Sequence, residues 1–215
     1  MARPREFDET AVLETAMQCF WARGYQATSM RDLTEHMSMT GASLYNAFGD
    51  KRNLYGRALD LYVEKSFGDR AARFEHKLVP RQAIGAFFDE IVARSLDDGQ
   101  RKGCMLVNSA IEIAPHDPEF QLVIADVLVR VERFFLRCLR AGQADGTITA
   151  SLPANDLARL LLSTLLGIRV LARVRPERAL LEGLIRPLYA LLDGAAAAPR
   201  RQRTRSSVRR HLPAQ

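Results

Sequence analysis

The chain predicts an all-α protein: an N-terminal three-helix helix-turn-helix unit followed by a longer helical body. Three observations carry that prediction. Apolar residues recur at helical spacing through most of the chain, no convincing alternating strand pattern appears, and the breaks between segments carry turn chemistry. No internal repeat is evident. The expected division is residues 1–50 for the helix-turn-helix unit, 51–195 for the body and 196–215 for an arginine-rich, disordered tail.

In the first element, Asp8 is placed to cap a helix, with Phe7 and Val12 at the positions of a hydrophobic staple. Val12, Leu13, Ala16, Met17, Phe20 and Trp21 form its apolar face, and Gly24 is a natural stop. Ser29 and Asp32 resemble a capping box, so a second helix starts there with Met30 and Leu33 turned inward. Thr40 caps a third helix that buries Leu44, Ala47 and Phe48, and Asp50 caps a fourth after the Gly49 break.

The outer face of the third helix then holds Thr40, Gly41, Ser43, Tyr45 and Asn46. This set is small at its N-terminal end, so backbone can approach a groove wall, and free amides at a helix start suit phosphate. Asn46 has the donor–acceptor pair that matches adenine, Tyr45 can donate to a phosphate, and Lys51 is a further phosphate candidate. The plainer alternative is an ordinary three-helix core with capped ends.

Phe20-Trp21-Ala22-Arg23-Gly24-Tyr25, Thr28-Ser29-Met30-Arg31-Asp32-Leu33 and Ser43-Leu44-Tyr45-Asn46-Ala47-Phe48-Gly49-Asp50-Lys51 together resemble the tetracycline-repressor (TetR-type) family of bacterial transcriptional regulators. The resemblance implies an all-helical homodimer on a palindromic operator in double-stranded DNA, with a divergent ligand-sensing region. By position, Tyr45 and Lys51 would grip the DNA backbone. Thr40, Gly41, Ser43 and Asn46 would face bases or nearby phosphates, and Thr28 and Ser29 would touch phosphate at the start of the second helix. The chain departs from the family pattern at Met37-Ser38, where Ala-Gly is common in the turn, at Thr34, where a small residue is favoured, and at Gly41, often a lysine. Ser38 can make a left-handed turn only at a cost that glycine avoids.

Charge has an unusual location. The net charge is +6, yet Arg200, Arg201, Arg203, Arg205, Arg209 and Arg210 account for all of it, leaving 25 basic and 25 acidic residues in the body. Met1 to Arg52 holds six Lys/Arg and seven Asp/Glu, so recognition there rests on placement and not on bulk charge. The tail is either a solvated terminus or a source of salt-sensitive, sequence-blind DNA affinity. With no secretory h-region and no apolar run of membrane-span length, a cytoplasmic protein without a membrane partner is expected.

The body predicts helices over 51–78, 80–97, 104–114, 118–141, 154–174 and 176–193. Leucines cover more than one face of the last two, and Ser163 with Gly167 makes a small stripe on the first of them. Leucine periodicity alone fits an internal core equally well; the resemblance implies a four-helix dimer interface. Phe74, Phe87, Phe88, Ile91, Ile111, Phe120, Phe134 and Phe135 are candidates to line an effector pocket, although aromatics at this spacing also build ordinary core.

Cys104 stands at a predicted helix start beside Arg101 and Lys102, where dipole and cations favour a thiolate. The resemblance implies a possible role here too, since some family members that sense oxidants or electrophiles use a cysteine in a similar position. The other reading makes Cys104 a small core residue next to Met105, Leu106 and Val107. Cys19 and Cys138 lie on apolar faces and read as inert; the odd count of three argues against a disulfide framework.

His36, His76, His116 and His211 are scattered, and there is no phosphate loop, dinucleotide fingerprint or nucleophile elbow, so no metal, no cofactor and no enzyme are expected. The expected function is a ligand- or cysteine-responsive repressor. Its rivals are an all-helical small-molecule-binding protein without DNA binding and a thiol sensor acting through protein contacts.

Overall fold

The computed structural model describes residues 8–194; the arginine-rich tail and the Phe7 half of the staple lie outside them. The order is α1 (Glu9–Arg23), α2 (Met30–Met37), α3 (Gly41–Phe48), α4 (Lys51–Val63), a π-helical turn (Glu64–Gly68), α5 (Asp69–Lys77), α6 (Pro80–Leu96), α7 (Met105–Glu112), α8 (Pro118–Asp145), α9 (Ala154–Val174) and α10 (Arg178–Asp193). Among the described residues there is no strand, and no helix is long and apolar enough to cross a membrane.

The caps act where the sequence places them. Asp8 accepts from the amides of Thr10 and Ala11, Ser29 and Asp32 cap reciprocally, Thr40 accepts from the Ser43 amide at 3.1 Å, and Asp50 from the Asn53 amide at 2.8 Å. Each satisfies amides that a helix start otherwise leaves without a partner.

Four boundaries differ from the pattern by two residues or more, one of them the end of α7 at Glu112 where the pattern runs to 114. The helix predicted over 51–78 is interrupted by the π turn, at whose end a Cβ on Gly68 would lie 2.5 Å from the Glu64 carboxylate. α8 runs on through Gly142, which packs against Ile148, to Asp145 and ends at left-handed Gly146. α10 starts at Arg178, since Glu177 is extended after Pro176.

Two apolar cores result. The first joins α1–α4 to α7 and the near half of α8, with Phe20, Leu33, Leu44, Leu54 and Tyr55 almost fully buried. The second packs α6 and the far half of α8 against α9 and α10 around Phe87, Phe88, Phe134 and Phe135. Each large side chain so buried stabilises the fold by about 1.5–3 kcal/mol before entropy is counted. The first core thus extends through α4 and α7 into the body, so the N-terminal unit is bonded to the structure that holds the cavity described below.

Candidate nucleic-acid interface and adjoining cavity

The turn between α2 and α3 is tight because Ser38 adopts the left-handed conformation, φ 52° and ψ 39°, that glycine adopts more easily. α3 then presents Thr40, Gly41, Ser43, Tyr45 and Asn46 together on its exposed side, while Leu44 and Phe48 anchor it from below. Tyr45 is 63% exposed, and the Thr40 hydroxyl donates to the Ser43 hydroxyl at 2.9 Å. A Cβ built on Gly41 would meet nothing within 4 Å, so no neighbour in the protein requires a glycine there.

Two of the other predicted contacts sit differently. Ser29 is exposed, but Thr28 is buried, its hydroxyl donating to the Gly24 carbonyl at 2.7 Å. This corrects the expectation for Thr28: its hydroxyl holds the loop between α1 and α2 and does not reach the surface. The Lys51 amine lies 4.3 Å from the centroid of the Tyr25 ring, and burial shifts its pKa downward, against the pull of Glu112 and Asp32.

Sequence reasoning missed Glu112, the last residue of α7. Its carboxylate accepts from the backbone amides of Tyr25 at 3.2 Å and Gln26 at 2.7 Å, tying α7 to the α1–α2 loop. A second tie comes from Arg52, which donates to Asp117 at 2.8 Å and 3.0 Å and to Glu119 at 2.7 Å. Those bonds hold the Asp117 carboxyl down at about 2, the Arg52 guanidinium being the largest cause.

An inner cavity of about 50 Å³ lies between the two cores, lined by apolar side chains of α4, α6, α8 and α9 together with Cys104. It shares Tyr62, Ser66, Arg70 and Arg169 with an outer vestibule of about 390 Å³ that opens past Arg94, Asp97, Asp98 and Lys102. Of the residues predicted for a pocket, Phe87 and Ile91 line it. The others correct the expectation. Phe88 stacks on Phe135 with centroids 5.6 Å apart inside the second core, and Phe120 packs edge-on against Tyr55 at 5.6 Å in the first. Ile111 is 68% exposed, because α7 turns that side to the surface.

Cys104 is half-buried at the start of α7 and faces the cavity. Of the two cations expected to act on it, Lys102 is engaged elsewhere: its amine lies 4.2 Å from the Trp21 ring centroid and donates to Gln18 at 3.2 Å. Beside Cys104 lies the Tyr62 hydroxyl, which is buried and makes no hydrogen bond of good geometry; burial chiefly, then the adjacent Cys104, raises its pKa far above the phenol range. The remaining thiols are buried, and burial pushes Cys138 up to about 11 and raises Cys19. The described residues contain no cluster suited to a metal ion.

Comparison with known proteins agrees with this geometry. A family model described as bacterial regulatory proteins of the tetR family matches residues 12–58, and a tetracyclin repressor-like C-terminal domain matches 80–188. The chain is 33% identical over 200 residues to the uncharacterized HTH-type transcriptional regulator YezE of Bacillus subtilis, covering 90% of this chain and 100% of that one. It is 30% identical over 185 residues to the HTH-type transcriptional repressor ComR of Escherichia coli, covering 85% and 86%. Among solved structures it is similar to a cysteine mutant of the TetR-family regulator CifR in complex with 26-bp operator DNA, with a TM-score of 0.79, 30% identity and coverage of 89% and 100%. With both parts of the family's architecture matched and the helix-turn-helix formed, the chain belongs to the TetR family of bacterial transcriptional regulators.

Proposed function

We propose that the protein is a cytoplasmic, homodimeric, operator-binding repressor, released from a palindromic site when an effector occupies the cavity or when Cys104 is modified. The observation that carries this reading is the exposed polar face of α3, with open space beside Gly41 at its start. In a two-fold dimer, two such helices enter successive major grooves about 34–36 Å apart. Tyr45 and Ser29 then contact phosphates, Asn46 reads a base edge and Gly41 lets the helix start approach the groove closely. The operator complex of the relative CifR supports this use of the fold. Lys51 joins the phosphate contacts by lifting off Tyr25.

The dimer forms through α9 and α10, where Leu160, Val170, Val174 and Leu191 remain exposed and Gly167 has open space beside it. Release uses α7, which runs from Cys104 at the cavity to Glu112 at the α1–α2 loop. A ligand or adduct that favours a different α7 position shifts the population toward dimers whose heads no longer match the half-site spacing. A catalytic role is not part of this reading.

Selection of bound fragments from a random duplex library, with reduced protein at moderate salt, tests it. A palindrome is expected, and Tyr45→Phe is expected to weaken its binding with the dimer intact. Recovery of only salt-sensitive random DNA overturns the proposal.

A further inference from the structure

We propose that the cavity binds a small organic monocarboxylate, its head held by Arg70, Arg169 and the Tyr62 hydroxyl and its short apolar body lying in the inner chamber beside Cys104. The inference rests on the reading that this cavity is the effector site and goes beyond it by naming the ligand's chemistry.

The charge balance points to an anion. Arg70 is 3% exposed, which is unusual for a guanidinium, and its neighbouring carboxylate is shared. Glu90 accepts from Arg70 at 3.2 Å and Arg73 at 2.9 Å, and pairs with Arg94 at 2.8 Å. The bond from Arg169 to the Ser95 hydroxyl, at 3.2 Å, supplies no negative charge. Arg70 accordingly holds its proton less firmly than an ordinary arginine, chiefly through burial and further through repulsion from Arg169 and Arg94. Asp97 and Asp98 also stand on the vestibule wall, but Asp98 already accepts from the Gly103 amide at 2.9 Å. Around the two chambers, Arg70, Arg94, Lys102 and Arg169 face Asp97 and Asp98, with Glu90 behind. With Arg73 also drawing on Glu90, positive charge exceeds negative around the two chambers, and an anionic head group balances it.

The hydrogen-bonding balance makes the same point. Tyr62 is 4% exposed, and its hydroxyl lacks an acceptor at the junction of the two chambers. A buried donor without an acceptor destabilises the free protein and is relieved when a ligand oxygen arrives. A carboxylate supplies two such oxygens, enough for a guanidinium and a phenol at once. The inner chamber fixes the size of the remainder. Its 50 Å³ holds roughly three to five water-sized groups, and its lining is almost entirely apolar, so a short alkyl or small aryl body fits.

Calorimetry on the full-length reduced protein without DNA tests the proposal, with hexanoate as the probe and hexanol and hexylammonium as controls. Saturable hexanoate binding is expected, with both controls weaker by about tenfold or more. Tyr62→Phe and Arg169→Gln are each expected to weaken hexanoate by about tenfold or more. Tyr62→Phe should melt no lower than the parent, because it removes a hydroxyl that has no partner; this separates a ligand contact from a structural one. Absence of hexanoate binding, equal binding of hexanol, or unchanged affinity in both variants overturns the proposal. Operator selection without carboxylate binding would remove this inference and leave the regulator standing. Carboxylate binding without operator selection would do the reverse.

Discussion

Replacing Glu112 tests the connection between the cavity and the reading head. Its two carboxylate oxygens accept from consecutive backbone amides, Tyr25 at 3.2 Å and Gln26 at 2.7 Å, across more than eighty residues of sequence. Hydrogen bonds to a charged acceptor contribute about 1.5–3 kcal/mol each. Both lie where water can partly replace them, so a combined loss of about 2 kcal/mol is expected for Glu112→Ala. In a protein of this size, each kcal/mol corresponds to roughly 2–4 °C, so Tm should fall by about 4–8 °C. Glu112→Gln keeps one acceptor oxygen but turns an amide donor toward the other N–H, and should fall about halfway. Hydrogen exchange locates the effect: the Tyr25 and Gln26 amides should exchange faster in both variants, while amides in α9 hold their rates. Operator affinity should drop as the loop preceding α2 loosens. A Glu112→Ala protein with the parental Tm and unchanged exchange at Tyr25 and Gln26 would refute the reasoning, because the bonds would then contribute nothing.

Four further outcomes are expected. Gly41→Ala should leave Tm unchanged or raise it, since its Cβ meets open space, yet lower operator affinity in a competition assay. Ser38→Gly should relieve the left-handed strain and stabilise the fold by up to about 1 kcal/mol, read by urea denaturation. Asp117→Asn carries a pH signature. Because the folded carboxyl titrates at about 2, below its unfolded value, its stabilisation is complete above the unfolded value and lost as pH falls toward about 2; unfolding of parent and variant over that range should converge at the acid end. An alkylating reagent should label Cys104 in the native protein and reach Cys19 and Cys138 only after unfolding, which mass spectrometry can count.

The reading head was legible because its determinants are local. A cap and the amide it satisfies are two or three residues apart, so Ser29 with Asp32 and Thr40 with Ser43 could be recognised in one window. Thr28 was misread for the opposite reason: whether its hydroxyl faces solvent or the Gly24 carbonyl depends on how the loop folds back. The cavity was less legible still. Phe87 and Phe88 are neighbours with the same side-chain chemistry, and only the packing of α8 decides that one lines the cavity while the other stacks on Phe135. Tyr62, Arg70 and Arg169 come from three different helical segments, and no spacing rule brings them together. Glu112 carries no local signal, because its partners Tyr25 and Gln26 lie more than eighty residues away in the chain.

The π turn at Glu64–Gly68 makes the winding of one short segment decide which way Arg70 points. A π turn carries one residue more than the α-helical turn it replaces, and each residue rotates a helix by about 100°. Deleting one residue there would turn the π turn into an α turn and keep Arg70 in phase with Phe87, whose ring it now faces at 5.4 Å, whereas winding the same residues as plain α-helix would rotate α5 by about 100° and swing Arg70 away. The chamber would then lose its deepest cation without any change to its wall on α6, α8 or α9. Substitutions at Glu64–Gly68 that favour an α turn over the π turn would therefore alter the cation beside the cavity without touching the helix-turn-helix.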